Sequence, residues 1–425
     1  MKRKIFLTVI LSSAFLSARA LTVDDLVQIA LKHSPDISIG DYEYRAAHQR
    51  SRISESVRLP QISATAALEH GEDRFEGSVR NHSDALTGGL RLDQLLYDFG
   101  RSSGSIEAAR ENEMLYRARL RQIVSDKVYQ VKLRYYDALK AKTQIRVQEK
   151  NLKLQKEQLH RAERFLKAGI KTMVDVTDAR LHLEQARKSL SDARYLLRLR
   201  RALLEESLGV IPEEGRYTLY NSQKEMTEWK LPGKETPLPE LLRYALKHRP
   251  LLQGVEHGIR SAEAAARGKE AHYAPILNLV GEAAARHEDS KLPPSMPTRH
   301  AKVGVELSWD LFSGYRDSAE AQEARIHAMK ARAQKDRAML TIRREVTQAD
   351  LNLRQKREAF RLSRAIVAQA KEKFRQAQKR YDNDLADYIE LQEARQSYID
   401  ALSGLVNSYY DYYAARAQLD RAIGR

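Results

Sequence analysis

The sequence predicts a mostly α fold with a small β portion: long coiled-coil helical hairpins duplicated in tandem, each copy carrying one β-hairpin. Three observations predict it. Short landmarks recur at a constant spacing of 215 residues, which a duplicated structural unit explains and chance does not. Apolar residues recur every seven positions through two long stretches. Ahead of each stretch the period drops to two, the signature of a half-buried strand.

Residues 1–20 form a separate segment. Lys2, Arg3 and Lys4 precede the apolar run Ile5 to Leu16, and Ala18-Arg19-Ala20 follows as a small-x-small cleavage site. This is the pattern of a secretory signal peptide. The run of 12 residues is too short to span a bilayer as a helix. Loss of Lys2, Arg3, Lys4 and Arg19 lowers the formal net charge from +16 by four, to +12. A basic helical protein invites a nucleic-acid reading, but an exported chain rarely meets nucleic acid, so none is expected as a partner. With 0 cysteines there is no disulfide, thiolate metal site or lipid-bearing cysteine. Charged residues at 31% against aromatics at 7% fit long helices with charged outer faces better than a large aromatic core.

The first structural repeat runs over 21–235 and the second over 236–425. "ALKHSP" at Ala30 to Pro35 returns as "ALKHRP" at Ala245 to Pro250, Pro60 as Pro275, and "LYDFGR" at Leu96 to Arg101 as "LFSGYR" at Leu311 to Arg316. His33 and His248, one per copy, are expected to close short helices as cations near the dipole, not to bind metal.

Long helices are expected over about 101–168 and 316–383, with return helices over about 172–209 and 386–424 and an equatorial segment over about 210–235. Val124, Val131, Ala138, Ile145, Leu152, Leu159 and Leu166 form one heptad seam; Met339, Val346, Leu353, Phe360, Val367, Phe374 and Tyr381 form the other, each 215 residues on. A sustained seven-residue repeat keeps its seam facing a partner when helices supercoil left-handed. No proline interrupts Arg101 to Lys171 or Tyr315 to the C-terminus, so at 1.5 Å per residue each helix reaches about 100 Å.

The β-hairpins are expected over about 61–97 and 276–313, with strands of about ten residues. Val303, Val305, Leu307 and Trp309 alternate with Lys302, Gly304, Glu306 and Ser308; Leu86, Gly88, Leu90 and Leu92 alternate with Thr87, Gly89, Arg91 and Asp93. Polar loops, "GEDRFEGSVRNHSD" and "HEDSKLPPSMPTRH", join the strands. Such strands match an outer-membrane barrel with lipid outside and a polar lumen inside, and Trp309 suits its interfacial aromatic girdle. Two hairpins give four strands, too few to close, and an open edge in hydrocarbon leaves backbone groups unpaired at several kcal/mol each. Three copies would supply twelve strands.

The duplicated openings "LPQISATAALEHG" and "APILNLVGEAAAR", with "LLYDFGR", "DLFSGYR" and the tips "AGIKTMVDVTDAR" and "YDNDLADYIELQEAR", resemble the TolC-type outer-membrane efflux and secretion channel family over residues 21–425. The resemblance implies a homotrimer: a 12-stranded barrel in outer-membrane lipid on a periplasmic α-helical barrel. It implies a periplasmic adaptor (membrane fusion) protein and an inner-membrane transporter as partners. By the same resemblance, Gly169, Ile170, Lys171 and Thr172, with Asp384, Leu385, Ala386 and Asp387, form the adaptor-docking tips. Asp175, Glu390 and Glu393 match acids that constrict the periplasmic entrance, and Tyr381 matches an aromatic that latches it. Asp384 stands where the family has glycine and Ala386 where it has the latch arginine, so a latch salt bridge of the family type cannot form there. A three-fold ring of acids favours cations and depresses anion passage.

No HExxH, GxSxG or phosphate loop is present, so neither an enzyme nor a cofactor or metal is expected. The function expected is a trimeric exit duct of a tripartite efflux pump or type I secretion system. The alternative is a periplasmic coiled-coil scaffold or adaptor-like protein without a pore.

Overall fold

The computed structural model describes residues 20–74, 80–170, 172–212, 217–220, 226–233, 236–290, 298–383 and 385–425. The expected signal peptide therefore lies outside the described residues except for Ala20. In order come β1 (Ala20–Leu21), α1 (Val23–His33), α2 (Pro35–Glu55), β2 (Gln61–Arg74), β3 (Arg80–Tyr97), α3 (Arg101–Lys167) and α4 (Met173–Leu208). Then follow β4 (Thr218–Leu219), α5 (Leu238–His248), α6 (Pro250–Glu270), β5 (Ile276–Ser290), β6 (Thr298–Ser308), α7 (Arg316–Asp382) and α8 (Tyr388–Ile423). The bounds of all four helix pairs differ by 215, so among the helices the duplication holds to the residue. His33 and His248 end α1 and α5.

Two compact units form, each from separated segments. The first takes the chain up to Ser38, Ile123–Lys247 and Arg343–Arg425; the second takes Ile39–Gln122 and His248–Ile342.

In the first unit the core gathers Leu26, Val131, Tyr135, Ala138, Leu204, Leu208, Phe360, Tyr398, Leu405 and Tyr410. Of the fourteen expected heptad positions, Val131, Ala138, Val346, Leu353, Phe360, Val367 and Tyr381 are buried, while Val124, Ile145, Leu152, Leu159, Leu166, Met339 and Phe374 are half-buried. The expectation against a large aromatic core needs correction locally. Trp229 stacks on Tyr409 at 4.1 Å between ring centroids, and Phe374 on Tyr398 at 5.9 Å. Few aromatics are present, but the run Tyr409 to Tyr413 concentrates them in one layer. The segment after α4 also contributes to this core. Thr218 and Leu219 pair in parallel with Ala20 and Leu21, so Ala20, assigned above to the leader, belongs here to β1. Tyr217, Leu219, Met226 and Trp229 enter the core.

In the second unit the two hairpins join into one sheet of order β2-β3-β5-β6, every pairing antiparallel. The strands have 14, 18, 15 and 11 residues, longer than the ten expected. The reason is that "GEDR", "RNHSD", "HEDS" and "TRH" pair as backbone although their polarity reads as loop; hydrogen-bond ladders do not require apolar side chains. At the junctions into α3 and α7 two successive residues have left-handed backbone: Phe99 and Gly100 at φ 54° and 107°, Gly314 and Tyr315 at φ 63° and 66°. One of each pair is glycine, which takes this conformation without a Cβ penalty.

Candidate functional site

The tip of the first repeat is built by helix-end chemistry. As α3 ends, Gly169 N–H donates to Leu166 C=O at 3.0 Å and Ile170 N–H to Phe165 C=O at 2.9 Å, a Schellman closure that requires the left-handed φ of 75° at Gly169. Thr172 then caps α4. Its N–H and its Oγ1 hydroxyl both donate to Asp175 Oδ2 at 2.9 Å, so the expected entrance acid also forms half of a capping box. Lys171 lies outside the described residues.

The second tip repeats the closure. Leu385 N–H donates to Arg380 C=O at 2.8 Å, the counterpart of the Ile170 bond, and Asp387 Oδ1 caps α8 by accepting from Glu390 N–H at 2.8 Å. Asp384 lies outside the described residues. Ala386 provides no charge, and the sequence gives no sign of what does instead. Arg380 Nη1 donates to Glu390 Oε1 at 2.7 Å while its Nη2 donates to Leu385 C=O at 3.2 Å. One guanidinium thus ties the end of α7 to the start of α8, and the expected entrance acid Glu390 is held by it. Glu393 is exposed and makes no ion pair among the described residues. The structure therefore brings Glu390 and Asp175 to the two tips in different local roles.

Tyr381 is buried at 1% exposure, against Phe165 and Tyr388 at 6.1 and 6.3 Å between ring centroids. Ala162, Val176, Ala179, Ala377, Leu391 and Ala394 complete this cluster. Arg161 reaches Asp382 at 2.6 Å, tying α3 to the end of α7. Burial pushes the Tyr388 phenol up to about 12, so it stays neutral at physiological pH. Both tips leave aliphatic side chains in the open at matching places: Ile170 and Leu385, Val174 and Ile389, all more than half exposed.

The sheet of the second unit sorts its side chains by chemistry. The rows Ile62↔Leu92↔Gly281↔Val303, Ala64↔Leu90↔Ala283↔Ala301 and Leu68↔Leu86 share one face. That face is apolar along these rows, with His287 and Arg299 entering it further along the sheet, and it is uncovered: Leu68 is 80% exposed and Val303 75%. The intervening rows carry the charge. Ser63↔Arg91↔Glu282↔Lys302 cross the sheet in line, with Arg91 paired to Asp93 at 2.8 Å and Glu282 to Lys302 at 3.0 Å. At the end of the sheet where the helices begin, Tyr97, Phe99, Tyr273, Trp309, Phe312 and Tyr315 stand exposed, with Trp309 Nε1 donating to Tyr273 C=O at 3.0 Å. Strands β2 and β6 have no second partner among the described residues. No described helix is long and apolar enough to cross a membrane, and no group of three or more metal-ligating side chains occurs among the described residues.

A duplicated chain with an amphipathic sheet and paired helical tips has known counterparts. The family model described as outer membrane efflux protein matches residues 26–210 and again 241–425. The chain belongs to the outer membrane efflux protein family. As such it is a channel and not an enzyme, placed in the outer membrane with its helical part in the periplasm. It is similar to the outer membrane efflux protein BepC of Brucella suis, 22% identical over 373 residues that cover 87% of this chain and 78% of BepC. Protein CyaE of Bordetella pertussis is 23% identical over 388 residues, 90% of this chain and 79% of CyaE. The fold matches that of the outer-membrane channel OprN with a TM-score of 0.79 at 21% identity, over 95% of this chain and 89% of OprN.

Proposed function

We propose that this efflux protein works as a homotrimer, the exit duct of a tripartite efflux pump or type I secretion system. An inner-membrane transporter hands cargo to it, and a periplasmic adaptor docks on its tips. The observation that carries this reading is the sheet. Four strands whose register puts every apolar row on one uncovered face, and whose two outer strands lack partners, call for lipid on that face and further copies on both edges. Twelve strands from three copies close such a wall, with the Arg91, Glu282 and Lys302 row turned to the lumen. The helices have matching needs. Leu181, Tyr195 and Leu199 on α4, and Leu351, Leu362 and Ile366 on α7, stay exposed within one chain and offer apolar edges to neighbours.

The tips support the docking role through their exposed aliphatic pairs, which recur in both repeats and so offer an adaptor six equivalent ledges per trimer. Asp175, Glu390 and Glu393 supply the acids of the entrance. Each recurs three times in a trimer, and like charges around a narrow opening favour cations.

The test is electrical. Purified protein in mild detergent runs as a trimer and, in a planar bilayer, conducts; replacing Glu390 and Glu393 together by Ala raises single-channel conductance and weakens divalent block. A salt-released monomer that passes no current refutes the duct, and unchanged conductance with unchanged block removes the acidic ring.

A further inference from the structure

Arg395 on α8 is 2% exposed, and its Nε, Nη1 and Nη2 donate to no partner among the described residues. A buried cation without a counter-charge costs several kcal/mol, so its neighbourhood is informative. Arg395 lines a cavity of about 20 Å³ between α3, α7 and α8, together with Gln158, Gln378, Gln392, Glu157 and Arg161. Gln158 Nε2, on a side chain 7% exposed, is a second donor left without an acceptor. Arg161 already holds Asp382.

The duplication shows what is missing. Arg395 corresponds to Arg180 of the first repeat, which pairs with Glu163 at 3.7 Å. The position matching Glu163 is Gln378, on the wall of this cavity. The second copy therefore keeps the cation, buries it, and has an amide where the first has a carboxylate. Loss of a proton does not remove the difficulty. Burial lowers the Arg395 guanidinium to about 10, which leaves it charged at neutral pH. The Tyr388 phenol, held up to about 12 by its own burial, is neutral there and cannot supply the negative charge.

We propose that this cavity is a binding site for one small monatomic anion of the chloride class, held by the Arg395 guanidinium and the Gln158 amide. So small a space favours a single monatomic ion over sulfate, phosphate or a carboxylate. A water fits equally well but brings no charge, whereas a halide accepts from several N–H donors and neutralises the cation. The anion links α8 to α3 behind the tip, so it stabilises this packing over any arrangement in which Arg395 reaches solvent.

The proposal is independent of the duct reading and is tested on the full-length protein in detergent, whatever its oligomeric state. Crystals soaked in sodium bromide should show one anomalous peak per protomer beside Arg395. The thermal midpoint should rise when gluconate is exchanged for chloride at constant ionic strength; Arg395→Met should lose that shift and Glu157→Gln should keep it. A water without bromide at Arg395 overturns the site. So does a halide shift that survives in Arg395→Met, or one that appears only in Glu157→Gln, which would make the Glu157 carboxylate the counter-charge in the unaltered protein. If Arg395→Met yields no folded protein, the bromide peak in the unaltered protein decides alone.

Discussion

Gly104 sits in the first turns of α3 where that helix crosses α6, and replacing it by Ala should separate the two. A Cβ built there would lie 2.6 Å from both Cα and N of Gly268 and 2.8 Å from the Ala264 carbonyl oxygen. All three are backbone atoms, so no side chain can turn away. Carbon contacts settle at about 3.5–4.0 Å, so the helices must part by roughly 1 Å. Forcing a methyl into a filled contact costs about 1–3 kcal/mol, and the better helix propensity of Ala returns at most about 1. Contacts of 2.6–2.8 Å to three backbone atoms put the cost in the upper part of that range, about 2–3, so the net loss is about 1–2 kcal/mol. The opposite substitution is milder: a Cβ on Gly268 meets Arg101 O at 3.2 Å and Gly104 Cα at 3.4 Å, which a shift of a few tenths of an ångström relieves. Gly268→Ala should then be close to neutral. Native-state hydrogen exchange of the α6 amides in the purified protein reads the difference, because about 1.4 kcal/mol speeds exchange through local opening about tenfold. Equal protection in Gly104→Ala and the unaltered protein, or a larger loss in Gly268→Ala, refutes the account of this crossing.

Two further outcomes follow from the sheet and from α7. Leu90→Lys places a charge on the apolar face and should cost about 2–4 kcal/mol if that face meets hydrocarbon. The yield of folded protein in outer membranes should fall, while Thr65→Lys, in the polar row, should leave it unchanged; equal yields would mean that lipid does not cover this face. On α7 the Glu372 carboxyl is drawn down to about 2, first by its hydrogen bonds from Arg375 and then from Gln376. A carboxyl depressed on folding adds stability above its ordinary value of 4.5 and loses it as pH falls toward 2. The stability gap between the unaltered protein and Glu372→Gln should therefore be present at pH 6 and closed at pH 2, as read by denaturant titration of helicity. A gap that widens on acidification contradicts the assignment.

Backbone architecture was legible in the sequence because it rests on periods. Val131 and Phe360 recur every seven residues with their neighbours, and Leu90 and Val303 alternate with Arg91 and Lys302, so seam and sheet faces could be written down before any coordinate. Helix ends were within a few residues because Gly169, Thr172 and Asp387 carry cap chemistry. Strand ends were not, because "RNHSD" pairs through its backbone alone. The tip was half legible. Asp175 and Glu390 could be placed on it, but their partners could not. The Arg380–Glu390 bond spans a turn whose closure sets the distance, and nothing in the spacing of two charged residues among 31% charged positions singles it out. Arg395 was hidden for a different reason. Its heptad place matches that of Arg180, yet α4 leaves that place open to solvent while α8 is packed on two sides, a difference that appears only when the helices are assembled.

That contrast explains why the two repeats keep one backbone and not one chemistry. The left-handed pair before each long helix needs one glycine, and either position serves: the first copy has it second, after Phe99, and the second copy has it first, before Tyr315. A constraint on φ is indifferent to which residue meets it, so the glycine has exchanged places while the turn has not changed. Side-chain constraints are set by what packs outside, and the copies differ there. On exposed α4, Arg180 and Glu163 form an ordinary surface pair of little energetic weight. On buried α8 the same arginine either needs its charge balanced or should have been replaced by an apolar residue, which is the commoner solution for a core position. Its retention beside Gln378 and Gln158 is therefore an argument that something outside the chain balances it.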